Sequence, residues 1–161
     1  MGTWRQAGVV VLSSLLLSCN VLPVCAEEVT PAGYHVYDVQ ESEASDTWYS
    51  IGRGVYLMTG LSKLTQGDKG YALCDGYTMA KFDCDTVCLR IYLDQSDDGE
   101  TMWHTLDYWT DIVENASFAT TESGPYRVAR DKYYRVKGAH SVIQDGNAEA
   151  TTTCTDAIHF D

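Results

Sequence analysis

The run Tyr133-Tyr134-Arg135-Val136-Lys137-Gly138-Ala139-His140-Ser141-Val142 decides the fold. Counted with period two, Tyr134, Val136, Gly138, His140 and Val142 share one face, and Tyr133, Arg135, Lys137 and Ser141 share the other. That alternation is the mark of a half-buried strand. A short turn over Gln144 to Asn147 follows, with Gly146 and Asn147 able to take positive φ, and 148–158 returns as a second strand. The segment is a β-hairpin.

Working back from the hairpin, 87–93 is the next clearest strand, with Val87, Leu89, Ile91 and Leu93 facing in and Cys88, Arg90 and Tyr92 facing out. A loop of hairpin type, Gln95-Ser96-Asp97-Asp98-Gly99-Glu100, leads into a strand over 101–113 that is apolar on both sides. Residues 71–79 read as a strand weakened in its middle by Asp75-Gly76, and 120–128 as one broken by Gly124-Pro125. Another strand covers 55–61. Apolar residues nowhere recur at helical spacing over three turns. The expectation is an all-β domain of about seven strands at turn spacings of about 8 to 12 residues, packed as an antiparallel sandwich. A closed barrel is the alternative.

The ends of the chain read differently. Arg5 precedes an apolar run over 7–17, Pro23 interrupts it, and Val24-Cys25-Ala26 offers small residues to a signal peptidase. Residues 1–26 are therefore expected to be a signal segment, helical or disordered, cleaved before Glu27 so that the product is secreted. Leu16-Leu17-Ser18-Cys19 offers a competing lipobox, which would anchor the product at Cys19 in the cell envelope. Residues 27–50 are acidic and poor in aliphatic side chains, and are read as a flexible leader ahead of a domain over 51–161.

All 23 acidic residues but only 10 of the 11 basic ones lie beyond residue 26, so the mature chain carries a net charge of −13. Its field repels phosphate backbones and anionic lipid, which excludes nucleic acid as a partner. The apolar run is also too short for a membrane span.

Four cysteines remain after cleavage: Cys74, Cys84, Cys88 and Cys154. An even number in an exported domain points to two disulfides, and of the three pairings Cys84–Cys88 with Cys74–Cys154 is preferred. Their spacing matches no compact zinc knuckle.

At Tyr133-Tyr134-Arg135-Val136-Lys137-Gly138 the sequence resembles the sixth strand of fibronectin type III and related immunoglobulin-like domains. A wider pattern is similar to small secreted proteins of Gram-positive bacteria grouped as a domain of unknown function. It runs through Val87-Cys88-Leu89-Arg90-Ile91-Tyr92-Leu93, Gly99-x-x-Met102-Trp103, the hairpin stretch through His140, and Glu149-Ala150-Thr151-Thr152-Thr153. The resemblance implies an exported immunoglobulin-like sandwich of unassigned role, with no catalytic residues to transfer.

Three features invite a functional reading, each beside a structural one. Asp94-x-Ser96-x-Asp98-Gly99 imitates the start of a calcium loop, but its twelfth position is Thr105, so an acidic turn competes with calcium held by Asp94, Asp97, Asp98 and Glu100. His140 points into the core in phase with Val136 and Val142, as a neutral imidazole bonded to a hydroxyl or backbone group. Trp103 and Trp109 form a stripe that is either cross-strand packing or a contact face for a protein or glycan at the cell surface. His104 and His159 have no acid or nucleophile at a telling spacing, and His35 lies in the leader. Asn115-Ala116-Ser117 fits a glycosylation sequon, which the bacterial resemblance leaves unmodified. The expectation is a non-enzymatic interaction or structural module needing no cofactor, with a glycan-binding module or a small extracellular enzyme as alternatives.

Overall fold

The computed structural model describes residues 28–51 and 56–161. The expected signal segment, Cys19 and the cleavage site lie outside them. Every described element is a strand: β1 (Glu28–Val29), β2 (Gly33–Gln40), β3 (Glu43–Ser50), β4 (Leu57–Gly67), β5 (Tyr71–Ser96), β6 (Trp103–Glu122), β7 (Tyr126–Arg127), β8 (Lys132–Gln144), β9 (Asn147–Cys154) and β10 (Ile158–Phe160). The protein is all-β.

The strands belong to one sheet, in the order β1-β9-β8-β5-β4-β3-β2, with β6 and β7 also on β5 and β10 on β8. All pairings are antiparallel except β1 with β9. Strand β5 organises the molecule. Its 26 residues take β4 as neighbour along Tyr71 to Ala80 and β8 along Thr86 to Ser96, while β6 follows the opposite edge. Between those two stretches the β5–β6 register jumps, with Ala80 to Asp83 standing against Ser117 alone, and Asn115 nearby takes a φ of 52°. Such a bulge bends both strands. An amino-terminal half (β2, β3, β4) and a carboxy-terminal half (β8, β9, β10, β1) thereby fold toward each other, with β4 against β8 and β9, and β3 against β9. The two sheets expected from strand counting are thus one continuous sheet of ten strands bent over a common core.

The core draws Ala44, Trp48, Leu57 and Leu64 from one half and Val136, Val142, Tyr134 and Phe160 from the other. Val87, Leu89, Ile91 and Leu93 of β5 are fully buried among them, on the face that alternation assigns. Tyr134 closes a corner: its hydroxyl lies 2.9 Å from both the Ala129 carbonyl and Gln95 Oε1. The β8–β9 turn takes positive φ at Asp145 (50°) and Gly146 (75°), one position earlier than the Gly146-Asn147 pair singled out in the sequence. Two positive φ values in a two-residue turn match the twist of the flanking strands.

The leader expected over 27–50 is corrected. Gly33–Gln40 and Glu43–Ser50 form a hairpin paired onto β4, and Ala44, Asp46 and Trp48 are buried. Acidic composition misled because Asp46 is internally paired: its carboxylate accepts from the Cys154 N–H at 2.7 Å and meets His35 Nδ1 at 2.9 Å. Trp48 lies on Gly33, where an added Cβ would come within 2.1 Å of the indole.

The disulfides are also corrected, since the four cysteines among the described residues are free. Cys84 and Cys88 sit on one extended strand, about 13 Å apart at the usual rise of a strand, beyond the roughly 7 Å that a bridge tolerates. Cys74 pairs with Leu64 in one half and Cys154 with Lys137 in the other.

Candidate functional site

Two polar constellations arise from the bent sheet, one inside it and one on its outer face. Inside, Ser62 of β4, Thr78 of β5, His140 of β8 and Thr153 of β9 meet where the halves face each other. His140 Nδ1 lies 2.9 Å from Thr78 Oγ1, His140 Nε2 2.8 Å from Thr153 Oγ1, and Thr153 Oγ1 2.6 Å from Ser62 Oγ. Thr78 Oγ1 also donates to the Cys88 carbonyl at 3.1 Å. That donation uses the only proton of Thr78, so Nδ1–H must donate to it; Nε2 then accepts from Thr153, and Thr153 accepts from Ser62. Every hydroxyl proton has one place to go. Burial lowers the His140 pKa from 6.5 to about 4, while a hydrogen bond with the Tyr77 backbone opposes the shift. The residue is a neutral structural imidazole bonded to hydroxyls, as the alternation implies.

On the outer face of the carboxy-terminal half, even-numbered residues of β5 stand beside odd-numbered residues of β8. Asp94 is buried there under cations: Lys137 Nζ approaches to 3.0 Å, Arg135 Nε to 3.4 Å, and Thr105 Oγ1 donates at 2.7 Å. The same cations cover rings, with the Arg135 guanidinium 4.0 Å above the centre of Trp103 and Lys137 Nζ 5.8 Å from that of Tyr92. Tyr92 neighbours Tyr108 at 6.1 Å, and Arg90 lies 5.3 Å from the Tyr108 centre. Aromatic and cationic groups thus alternate along the face.

This row runs into a groove of about 560 Å³. Small side chains, Ala139, Ser141, Ala150 and Thr152, line it; Arg90, Tyr92 and Ile112 stand along one part, and Thr30, Pro31 and His35 along another. That volume lies in the range of small-ligand sites. Cys88 also borders the groove, its thiol pushed up in pKa by burial against a lowering hydrogen bond from Ser141.

The structure separates the expected site residues. Asp94 belongs to the cation network, Asp97 pairs with Lys132 Nζ at 2.8 Å, and Asp98 accepts from Ser96 Oγ, from the Glu100 and Thr101 amides and from the Thr101 hydroxyl. Those hydrogen bonds, the Thr101 hydroxyl foremost, hold Asp98 below the usual carboxylate range. The four acids therefore do not converge as calcium ligands, and among the described residues no His, Cys, Asp and Glu cluster is suited to a metal ion. Trp103 and Trp109 do not share a face either. Leu93 pairs with Asp107 but Asp94 with Thr105, so the extra residue Leu106 flips the alternation of β6. Trp103 stacks outside on Arg135, whereas Trp109 packs on the core and meets Tyr126 edge-on. Sequence reasoning missed the groove residues Arg90 and His35. The period-two pattern Tyr34, Val36 against His35, Tyr37, Val39 was the available signal for β2.

Residues 22–158 match the family described as a family of unknown function (DUF6147), and the chain belongs to that family. No curated protein and no solved structure matches it. Among the described residues no helix is long and apolar enough to cross a membrane.

Proposed function

We propose that this member of the family is an exported, non-enzymatic binding module that engages a partner at the cell surface through the outer face of its carboxy-terminal half. One observation carries the reading: the row of Trp103, Arg135, Lys137, Tyr92, Tyr108 and Arg90 is continuous with the groove. Export rests on the charge and apolar pattern of residues 1–26. The binding reading is favoured over catalysis by the engagement of the polar groups. His140 is committed to hydroxyls, and Asp94 to Arg135 and Lys137. A glycan is the alternative partner, favoured by Tyr108, which is 57% exposed. Trp103 supports it less, because Arg135 already covers that ring.

The test is a glycan and peptide array probed with the product beginning at Glu27, repeated with Tyr92→Ala/Tyr108→Ala. Binding that falls at least about tenfold in the variant, equivalent to about 1.4 kcal/mol, supports this face. Binding that is unchanged in a folded variant moves the site elsewhere.

A further inference from the structure

We propose that the groove takes a ligand bearing a single carboxylate on an apolar body, with Arg90 as the anchor; this rests on the groove being the binding site. Arg90 is half-buried and unusual among the cations of this acidic chain. Lys63, Lys132, Arg135 and Lys137 each pair with a carboxylate, while among the described residues Arg90 has none within ion-pair distance. Lys69, Arg127 and Arg130, which likewise have no carboxylate within ion-pair distance among the described residues, are exposed.

The position of Arg90 is fixed by contacts that leave its charge uncompensated. Its Nε donates to Thr110 Oγ1 at 2.9 Å and its guanidinium rests by the Tyr108 ring, so the terminal nitrogens remain for a ligand. A guanidinium presents parallel donors that match a carboxylate in two-point geometry. Ser141 lines the same groove with its hydroxyl proton turned to Cys88, which leaves Arg90 as the anchoring donor.

Charge decides between anion classes. Among the described residues the groove has one permanent cation, and the chain carries a net charge of −12. A phosphate dianion would leave one negative charge unmatched in that field, whereas a monoanionic carboxylate is neutralised by Arg90 alone. Ile112, Tyr92, Ala139 and Ala150 then favour an apolar body over a heavily hydroxylated one. A peptide carboxy terminus with an apolar last residue and a free aromatic or aliphatic acid share this chemistry.

The test follows backbone amide shifts of the isotope-labelled product beginning at Glu27. Probes are benzoate, its neutral isostere benzamide, and acetylated Ala-Ala-Leu with a free or an amidated end. Saturable benzoate shifts at Arg90, Ser141 and Ala150, absent with benzamide and weakened at least about tenfold in Arg90→Gln, are expected. Arg90→Lys, which keeps the charge but loses the fork, should fall between. A peptide that binds only with its free end makes a chain terminus the source; binding of benzoate alone makes it a small acid. Equal binding of benzoate and benzamide, or no loss in a well-dispersed Arg90→Gln, overturns the carboxylate assignment and leaves the groove as a binding site. Inorganic phosphate that outcompetes benzoate overturns the charge argument. No shift at the groove with any probe overturns the assignment, while array binding lost in the tyrosine variant would still uphold the outer face.

Discussion

His140 Nδ1 lies 2.9 Å from Thr78 Oγ1, joining β8 to the stretch of β5 that pairs with β4. Protonation would fall on Nε2, which accepts from Thr153, so the Ser62–Thr153–His140 chain is complete only while the imidazole is neutral. Its pKa falls from 6.5 to about 4 on folding, so the unfolded chain binds the extra proton between those values. Stability from this group is complete above about pH 6.5 and is lost progressively as pH falls toward 4. The loss is on the order of 3 kcal/mol at full extent. Urea denaturation across that window should show the slope in the wild type and its absence in His140→Gln. A pH-independent wild type would refute the buried neutral assignment.

Removing the carboxylate of Asp94 exposes the cost of the cations gathered over it. In Asp94→Asn, Arg135 and Lys137 lose their shared counter-charge beside a site that is itself 1% exposed. Breaking a buried pair from one side costs about 3 to 5 kcal/mol; since both cations are partly solvated, the low end of that range is expected. Arg135 should also leave the Trp103 face, changing tryptophan fluorescence before unfolding begins. Chemical denaturation with fluorescence detection reads both effects.

Gly138 and Gly60 are needed for close approach rather than for backbone freedom. A Cβ on Gly138 would lie 2.2 Å from Ser62 Oγ and 2.6 Å from Thr153 Oγ1, and one on Gly60 would lie 2.5 Å from the His140 ring. Gly138→Ala and Gly60→Ala should each destabilise by about 1 to 3 kcal/mol or more, measured as a shift in the denaturation midpoint. Gly146→Ala meets no neighbour within 4 Å. Any cost there comes from its positive φ.

The product beginning at Glu27 should contain four free thiols when titrated in denaturant without reductant. In the native state Cys88 and Cys154, both half-buried, should react before Cys74, whose thiol burial pushes up to about 12. A mass lower by four hydrogens, or no titratable thiol, would restore the disulfide reading.

The hairpin of β8 and β9 and the inward face of β5 were legible because alternation alone specifies them. What escaped notice depends on partners distant in sequence. Asp75-Gly76 reads as a break, yet β5 passes through it, because a Cβ at Gly76 would lie 2.5 Å from the Leu61 carbonyl. The glycine serves the neighbouring strand. The bulge at Leu106 carries no composition signal, so the separation of Trp103 from Trp109 could not be read from spacing. Acidic residues hid β2 and β3, since the burial of Asp46 is made tolerable by the Cys154 amide, 108 residues away. The groove joins residues from near Thr30, Arg90, Ser141 and Thr152, and no window of sequence contains it.

One strand shared by both halves sets the order of folding in time. The carboxy-terminal stretch of β5 cannot settle until Lys132–Gln144 arrives on its edge, and the parallel seat for β1 is not made until Asn147–Cys154 is present. Closure between such remote partners is slow compared with local hairpin formation. A chain emerging from the ribosome therefore stays uncommitted until nearly all of it has been synthesised, and truncation before residue 132 should leave an unfolded polypeptide rather than a smaller stable domain.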